Sequence, residues 1–290
     1  MFKRKKKESM NDSPAQSSED GHKEYKVVAS LRTDVGCVRE INEDSGKYVQ
    51  PNSPEVLASK GMLFVVADGM GGHSAGEVAS SIAVETVSRV YYDDKSDPEE
   101  SLKKAFRQAN RDIHAVSVKN ASLSGMGTTC TALVLRDGTA LSAHVGDSRL
   151  YLVRGGRIYV MTEDHSAVME MVKRGLISLE EARHHPDKNI ILRAVGSQPD
   201  VEVSSWEEPF PVRASDQFVL CSDGLYDLVE DEEIKQAVLE ADPHVACESL
   251  ISLAKDRGGY DNITVGIIRL QPSGEVHSSV KETREAEVLR

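Results

Sequence analysis

Two short dipeptides constrain the fold of this chain more than any other feature. Asp137-Gly138 separates the apolar runs 127–135 and 139–146, and Gly155-Gly156 separates 149–153 from 157–161. Both dipeptides accept the positive φ angles of two-residue hairpin turns, so each pair of runs is expected to fold back on itself. Parallel neighbours would need a crossover of a dozen or more residues, which these spacings do not allow. Further strands are expected at 25–32, 62–67, 217–222 and 263–270, where β-branched runs are bounded by Gly or Asp. Ala75, Val78, Ala79, Ile82, Ala83, Thr86, Val87 and Val90 recur at helical spacing and predict a helix over 75–92 with one buried face. Residues 99–119, 231–240 and 244–256 predict three more helices, with Asp97-Pro98 and Asp242-Pro243 as start signals. The expectation is helices packed on stacked antiparallel sheets.

Composition narrows the function. Only 5% of residues are aromatic, so Val, Ala, Leu and Ile must fill most of the core. The formal charge of −12 argues against general nucleic-acid binding and is compatible with a site built from carboxylates. Cys37, Cys130, Cys221 and Cys247 contain no C-x-x-C pair, which argues against a zinc site or a disulfide framework and for a reducing compartment. No apolar run approaches the roughly 20 residues that span a bilayer, and the basic start Lys3-Arg4-Lys5-Lys6-Lys7 lacks a signal-peptide core. A cytoplasmic location is therefore expected. Residues 1–24 read as a disordered polar tail, 25–270 as the folded domain and 271–290 as a second tail. Residues 163–200, rich in charge and His, read either as a flap beside a site or as a plain helical connection.

Four segments share one design, an apolar strand end meeting an aspartate. They are Leu63 to Gly69, Ala143 to Ser148, Phe218 to Gly224, and Asp261 to Val265. Hard cations such as Mg²⁺ and Mn²⁺ favour oxygen ligands, mainly carboxylates, and a strand end holds a short carboxylate in place. An Asp-Gly standing alone is a turn before it is a ligand, as Asp137 shows. Asp68 differs because Gly69-Met70-Gly71-Gly72-His73 follows it, more glycine than a two-residue turn needs. That loop is no dinucleotide fingerprint, since Ser74 stands where the third glycine of G-x-G-x-x-G belongs, and the chain has no P-loop. Cys130 to Arg136 matches the C-x5-R spacing of cysteine phosphatases, but its interior is an apolar strand without glycine and offers no phosphate cradle. No G-x-S-x-G elbow supports a serine hydrolase. Arg39, four and five residues before Glu43 and Asp44, places a phosphate-gripping guanidinium beside two acids, although a surface salt-bridge cluster would read the same way.

Together these motifs resemble the type 2C protein phosphatases, the metal-dependent PPM family, and especially its bacterial members. The matching stretches are Arg39 to Asp44, Val66 to Gly72, Gly125 to Thr129, Val145 to Arg149, Cys221 to Leu225 and Gly259 to Thr264, in the family's order over residues 25–270. The resemblance implies a four-layer α/β sandwich of the α+β kind, two central antiparallel β-sheets flanked by α-helices. It implies a monomeric signalling hydrolase acting on proteins phosphorylated on Ser or Thr, opposed by a cognate Ser/Thr kinase. By the same resemblance, two Mn²⁺ or Mg²⁺ ions would be held by Asp68, the Gly69 carbonyl, Asp223 and Asp261. Asp44 would hold metal-bound water, Arg39 would grip the substrate phosphate, and Asp147 with Asp223 would bind a weaker third ion. Glu43 matches an acidic position near the metals, and 163–195, with His165 and Ser166, matches the variable flap. The implied chemistry is direct attack on phosphorus by a hydroxide bridging two metals. Met70 stands where many eukaryotic members carry a histidine general acid, so a metal-bound water is the expected proton donor, with His73 nearby in sequence. The rival reading is a non-catalytic phosphoprotein-binding domain of the same fold.

Overall fold

The computed structural model describes residues 25–71 and 75–273. The expected tail 1–24, residues 274–290 of the expected second tail, and Gly72, His73 and Ser74 of the glycine loop lie outside the described residues. One sheet runs in the order β1 (Tyr25–Asp34), β12 (Ile263–Pro272), β11 (Gln217–Cys221), β7 (Arg149–Arg154), β8 (Arg157–Val160). The other runs β10 (Phe210–Pro211), β6 (Thr139–Val145), β5 (Cys130–Arg136), β3 (Met62–Met70), β2 (Asp44–Val49), with β9 (Ser204–Ser205) on β6 and β4 (Gly127–Thr128) on β3. Every pairing is antiparallel. Asp137 (φ 45°) with Gly138 (φ 74°), and Gly155 (φ 57°) with Gly156 (φ 73°), form the two expected hairpin turns.

Strand alternation builds four layers. Phe64, Val66, Leu133, Leu220 and Ile268 meet between the sheets, while their neighbours Leu63, Val65, Val219 and Ile267 point outward. The outward face of the second sheet is covered by α2 (Ala75–Asp93) and α3 (Pro98–Lys119). Ala75, Ala79 and Ala83 recur every four residues along α2, and their small side chains bring the helix close to Leu63, Val65 and Ala67. The outward face of the first sheet is covered by α6 (Asp223–Tyr226), α7 (Asp231–Glu240) and α8 (Pro243–Asp256). Asp97 and Asp242 cap α3 and α8 with their carboxylates, each followed by Pro in the first turn.

Three expectations change. The run 127–135 is two strands, β4 and β5, broken at Thr129, and both pair with β3. β2 was unexpected because Asp44-Ser45-Gly46-Lys47 carries almost no apolar signal. The helix α1 (Pro54–Lys60), capped by Ser53, was equally unexpected. In 163–200 lie α4 (Ala167–Lys173) and α5 (Leu179–Arg183), tied back to the sheets by the bridges Ser166 to Ile191 and Thr128 to Val195.

Candidate active site

The site lies at one end of both sheets. Asp44 opens β2 and stands directly opposite Asp68, near the end of β3, in the antiparallel register. Like charges on opposed residues of a ladder repel, so this register is unfavourable unless something positive lies between them. Asp223 starts α6 immediately after β11, and Asp261 precedes β12. Asp147 follows β6, one residue after Gly146, whose carbonyl accepts from the backbone N–H of His165 at 2.8 Å.

The carboxylates feel one another. Burial, then the charges of Asp44, Asp223, Asp147 and Asp261, pushes the Asp68 carboxyl well above the usual range. Burial, then Asp147, Asp227, Asp261 and Asp44, does the same to Asp223. Burial raises Asp44 to about 6, against a hydrogen bond from Ser222 Oγ to Asp44 Oδ2 at 2.7 Å. Asp147 rises to about 7, through burial and the charge of Asp164. Asp44 Oδ1 and Asp223 Oδ1 are buried with no hydrogen-bond partner. An orphaned buried carboxylate oxygen costs free energy that only a donor or a cation restores. The cation on hand is Arg39, whose Nη2 lies 2.8 Å from Asp261 Oδ2 and whose side chain is 48% exposed, leaving the rest of its fork open to solvent.

A hard divalent cation fits this donor set. Among the described residues no three His, Cys, Asp or Glu side chains form a ready-made metal cage. Mg²⁺-like ions do not require one, because they take one or two carboxylates and complete their shell with carbonyls and water. The carboxylates Asp44, Asp68, Asp223 and Asp261, with two orphaned oxygens among them, offer that chemistry.

Glycine packing brings the backbones together. A Cβ on Gly69 would lie 2.1 Å from the Gly76 carbonyl oxygen and 2.5 Å from that of Glu43. The Gly69 N–H donates to the Glu43 carbonyl at 3.1 Å. Glu43 Oε1 accepts from the Gly76 N–H at 3.1 Å, in the first turn of α2, while its charge still reaches Asp44 and Arg39. Met70 pairs with Gly127 at the end of β3.

Several positioning residues carried no sequence signal of their own. Asn262 holds the loop that carries Arg39. Its Nδ2 donates to the carbonyls of Val35 and Ile41 at 3.0 Å, and its Oδ1 accepts from the Glu43 N–H at 2.8 Å. Arg149 binds Asp164 through Nε and Nη2, its guanidinium lies 3.8 Å from the centre of the Tyr226 ring, and the Tyr226 hydroxyl donates to the Asp147 carbonyl at 3.1 Å. Their partners are distant in sequence, so no local pattern marks them, although Asn262 and Arg149 sit inside motifs already singled out. The stretch 163–195 borders this side of the site: Lys188 pairs with Asp227, and Arg183 Nη2 donates to the Tyr226 carbonyl at 3.0 Å. The stretch contains the two short helices α4 and α5. Cys130 is buried in β5 with its thiol pushed up by burial, which removes the cysteine-phosphatase alternative.

The model of the family described as protein phosphatase 2C matches residues 50–246. The chain is 38% identical over 249 residues to a serine/threonine phosphatase, stp, of Listeria monocytogenes, covering 83% of this chain and 94% of the relative. It superposes with a TM-score of 0.75 on the crystal structure of the Mycobacterium tuberculosis serine/threonine phosphatase PstP/Ppp, at 37% identity, covering 84% of this chain and 99% of that one. The catalytic domain of PstP in complex with two manganese ions superposes with a TM-score of 0.72 at 35% identity, covering 84% of this chain and 98% of that one.

Proposed function

We propose, from the premise that this chain belongs to the protein phosphatase 2C family and is a metal-dependent serine/threonine protein phosphatase, that Asp68, the Gly69 carbonyl, Asp223 and Asp261 hold two divalent cations. The observation that carries this reading is the Asp44–Asp68 register, closed by Asp223 and Asp261 and containing two orphaned carboxylate oxygens. Mn²⁺ or Mg²⁺ suits these ligands, and Asp147 with Asp223 suits a weaker third ion. When bound, such cations polarise phosphoryl oxygens and acidify water.

The chain's own residues do the rest. Arg39 has five N–H donors, and the Nη2 contact with Asp261 leaves others to grip the equatorial oxygens of a phosphoserine or phosphothreonine. The Asp261 carboxylate keeps that guanidinium charged and oriented. Asp44 has Oδ2 held by Ser222 and Oδ1 unpartnered, so Oδ1 is placed to accept a proton from the attacking water. Water adds to phosphorus as the bond to the serine or threonine oxygen breaks, giving the hydroxyl residue and inorganic phosphate. Met70 has a thioether and cannot protonate the leaving oxygen, so the general-acid role falls to another donor.

The reading extends to a folded domain over 25–270, a flap at 163–195, a cytoplasmic monomer and a cognate Ser/Thr kinase as the opposing enzyme. Among the described residues no helix is long and apolar enough to cross a membrane. The deciding experiment is Asp223→Asn assayed by Mn²⁺-dependent phosphate release from a phosphothreonine peptide. Loss of activity with the fold retained by circular dichroism is expected, and near-normal turnover overturns the ligand assignment.

A further inference from the structure

We infer that Tyr260, with Val38 and Ile41 beside it, is a specificity-determining residue that seats an apolar side chain next to the phosphorylated residue of the substrate. This rests on the placement of Arg39 at the substrate phosphate.

The two loops that carry Arg39 and Asp261 are stitched backbone to backbone. The Cys37 N–H donates to the Gly259 carbonyl at 2.8 Å, and Asn262 Nδ2 donates to the Val35 and Ile41 carbonyls. Gly36, at φ 80°, has room for no side chain, since a Cβ there would lie 2.2 Å from the Asp261 carbonyl oxygen. On this platform Val38 is 64% exposed, Tyr260 62% and Ile41 42%. They flank the Arg39–Asp261 ion pair in sequence on both loops. Single exposed apolar residues are ordinary on a protein surface. Here three of them lie on two loops that are hydrogen-bonded to each other, next in sequence to the Arg39–Asp261 ion pair or close to it.

Tyr260 folds back over its own loop. Its ring lies across Gly258, where a Cβ would meet ring carbon Cε1 at 2.3 Å and the hydroxyl at 2.8 Å, so only glycine at 258 permits this ring position. The hydroxyl has no hydrogen-bond partner among the described residues. An exposed tyrosine offers large contact area with only two side-chain torsions to restrict on binding, which is how aromatic recognition positions work. The charges nearby set the rest of the preference. Glu40 lies exposed in the same loop and Glu43 follows it, so an acidic neighbour of the phosphoresidue is repelled while an apolar one is accepted. The class of substrate indicated is a phosphoserine or phosphothreonine segment with a large apolar residue adjacent to the phosphate.

The test compares wild type, Tyr260→Ala and Tyr260→Phe on three substrates: a phosphothreonine peptide flanked by leucines, the same peptide flanked by glycines, and N-acetyl phosphothreonine methylamide. For Tyr260→Ala the inference expects kcat/KM on the leucine peptide to fall about five- to tenfold, mainly through KM, as loss of an aromatic anchor does. It expects little change on the glycine peptide, none on the capped amino acid, and near wild-type behaviour for Tyr260→Phe. Equal loss on all three substrates would mean that Tyr260 acts only through the Asp261 loop and overturns the inference, as does no loss on any. Arg39→Ala on the capped amino acid separates the two readings: unchanged activity there removes Arg39 from the phosphate, whatever Tyr260 does.

Discussion

Asp68-Gly69 and Asp137-Gly138 are the same dipeptide at opposite ends of one sheet, and they obey opposite physics. Asp137 and Gly138 both take positive φ, and a Cβ on Gly138 would meet nothing within 4 Å. Glycine is there for its backbone freedom, and Asp for its tolerance of the left-handed region. Gly69 has no positive φ, and a Cβ on it would collide with two carbonyl oxygens. Glycine is there because three backbone segments converge, and Asp68 is there for its charge. Asp223-Gly224 follows the second pattern, since a Cβ on Gly224 would lie 2.0 Å from the Asn262 carbonyl oxygen. Crowding, and not φ, separates the Asp-Gly pairs proposed as ligands from the Asp-Gly of a turn.

The largest effect that tests this contrast is on activity. Asp68→Asn should lower kcat/KM on a phosphopeptide by roughly a thousandfold or more, as loss of several kcal/mol of charge stabilisation does. Asp137→Asn should change it less than about twofold, because Asn keeps the turn. Next in size is stability. Gly69→Ala should cost about 3 kcal/mol or more in urea unfolding, since the clash is with backbone that cannot rotate away. Gly138→Ala should cost only about 1–2 kcal/mol, the strain of a left-handed alanine. Similar costs for the two would end the distinction.

A third effect concerns protons and metal. An acid whose pKa folding raises binds its proton more tightly folded than unfolded, so the folded state loses stability as pH climbs through that window. For Asp44 the window runs from 3.8 to about 6, and for Asp147 from 3.8 to about 7. In chelator, the melting temperature should therefore carry a falling contribution from these groups between about pH 4 and pH 7. Saturating Mn²⁺ should raise Tm by about 5 °C or more at pH 7.5 and by far less at pH 5, where bound protons compete. An Mn²⁺ shift independent of pH would separate the carboxylates from the metal. The smallest effect is second-hand: Ser222→Ala removes the donor that favours ionised Asp44, so the acid limb of the kcat/KM profile should move to higher pH, by a fraction of a unit. A limb moving to lower pH would contradict the role given to Asp44.

Much of this molecule could be read without coordinates. The hairpin dipeptides, the i, i+4 alanine row of α2 and the Asp-Pro caps are local signals, and local signals report the backbone conformation of their own neighbours. Strand β2 escaped because its first four residues, Asp44 to Lys47, carry no apolar side chain, and the β3 residues it pairs with lie elsewhere in the sequence. The break at Thr129 escaped because the Thr129 hydroxyl accepts from the Asp68 N–H at 2.9 Å, a contact across 61 positions. The partner of Glu43 escaped as well, because the Gly76 N–H that its carboxylate accepts from lies 33 positions away on α2.

The amino-acid order alone therefore determined which aspartates, which arginine and which sheets this protein has, because periodicity and turn chemistry act over a few residues. Tertiary structure alone decided which Asp-Gly pair is crowded, which carboxylate oxygens are left buried without a partner, and which exposed ring stands beside Arg39. Those properties depend on what arrives from elsewhere in the chain: the Gly76 and Glu43 carbonyls at Gly69, Asn262 at the loop of Arg39, and Gly258 beneath Tyr260. Electrostatic and steric fields are sums over neighbours in space, and a linear sequence does not state who those neighbours are.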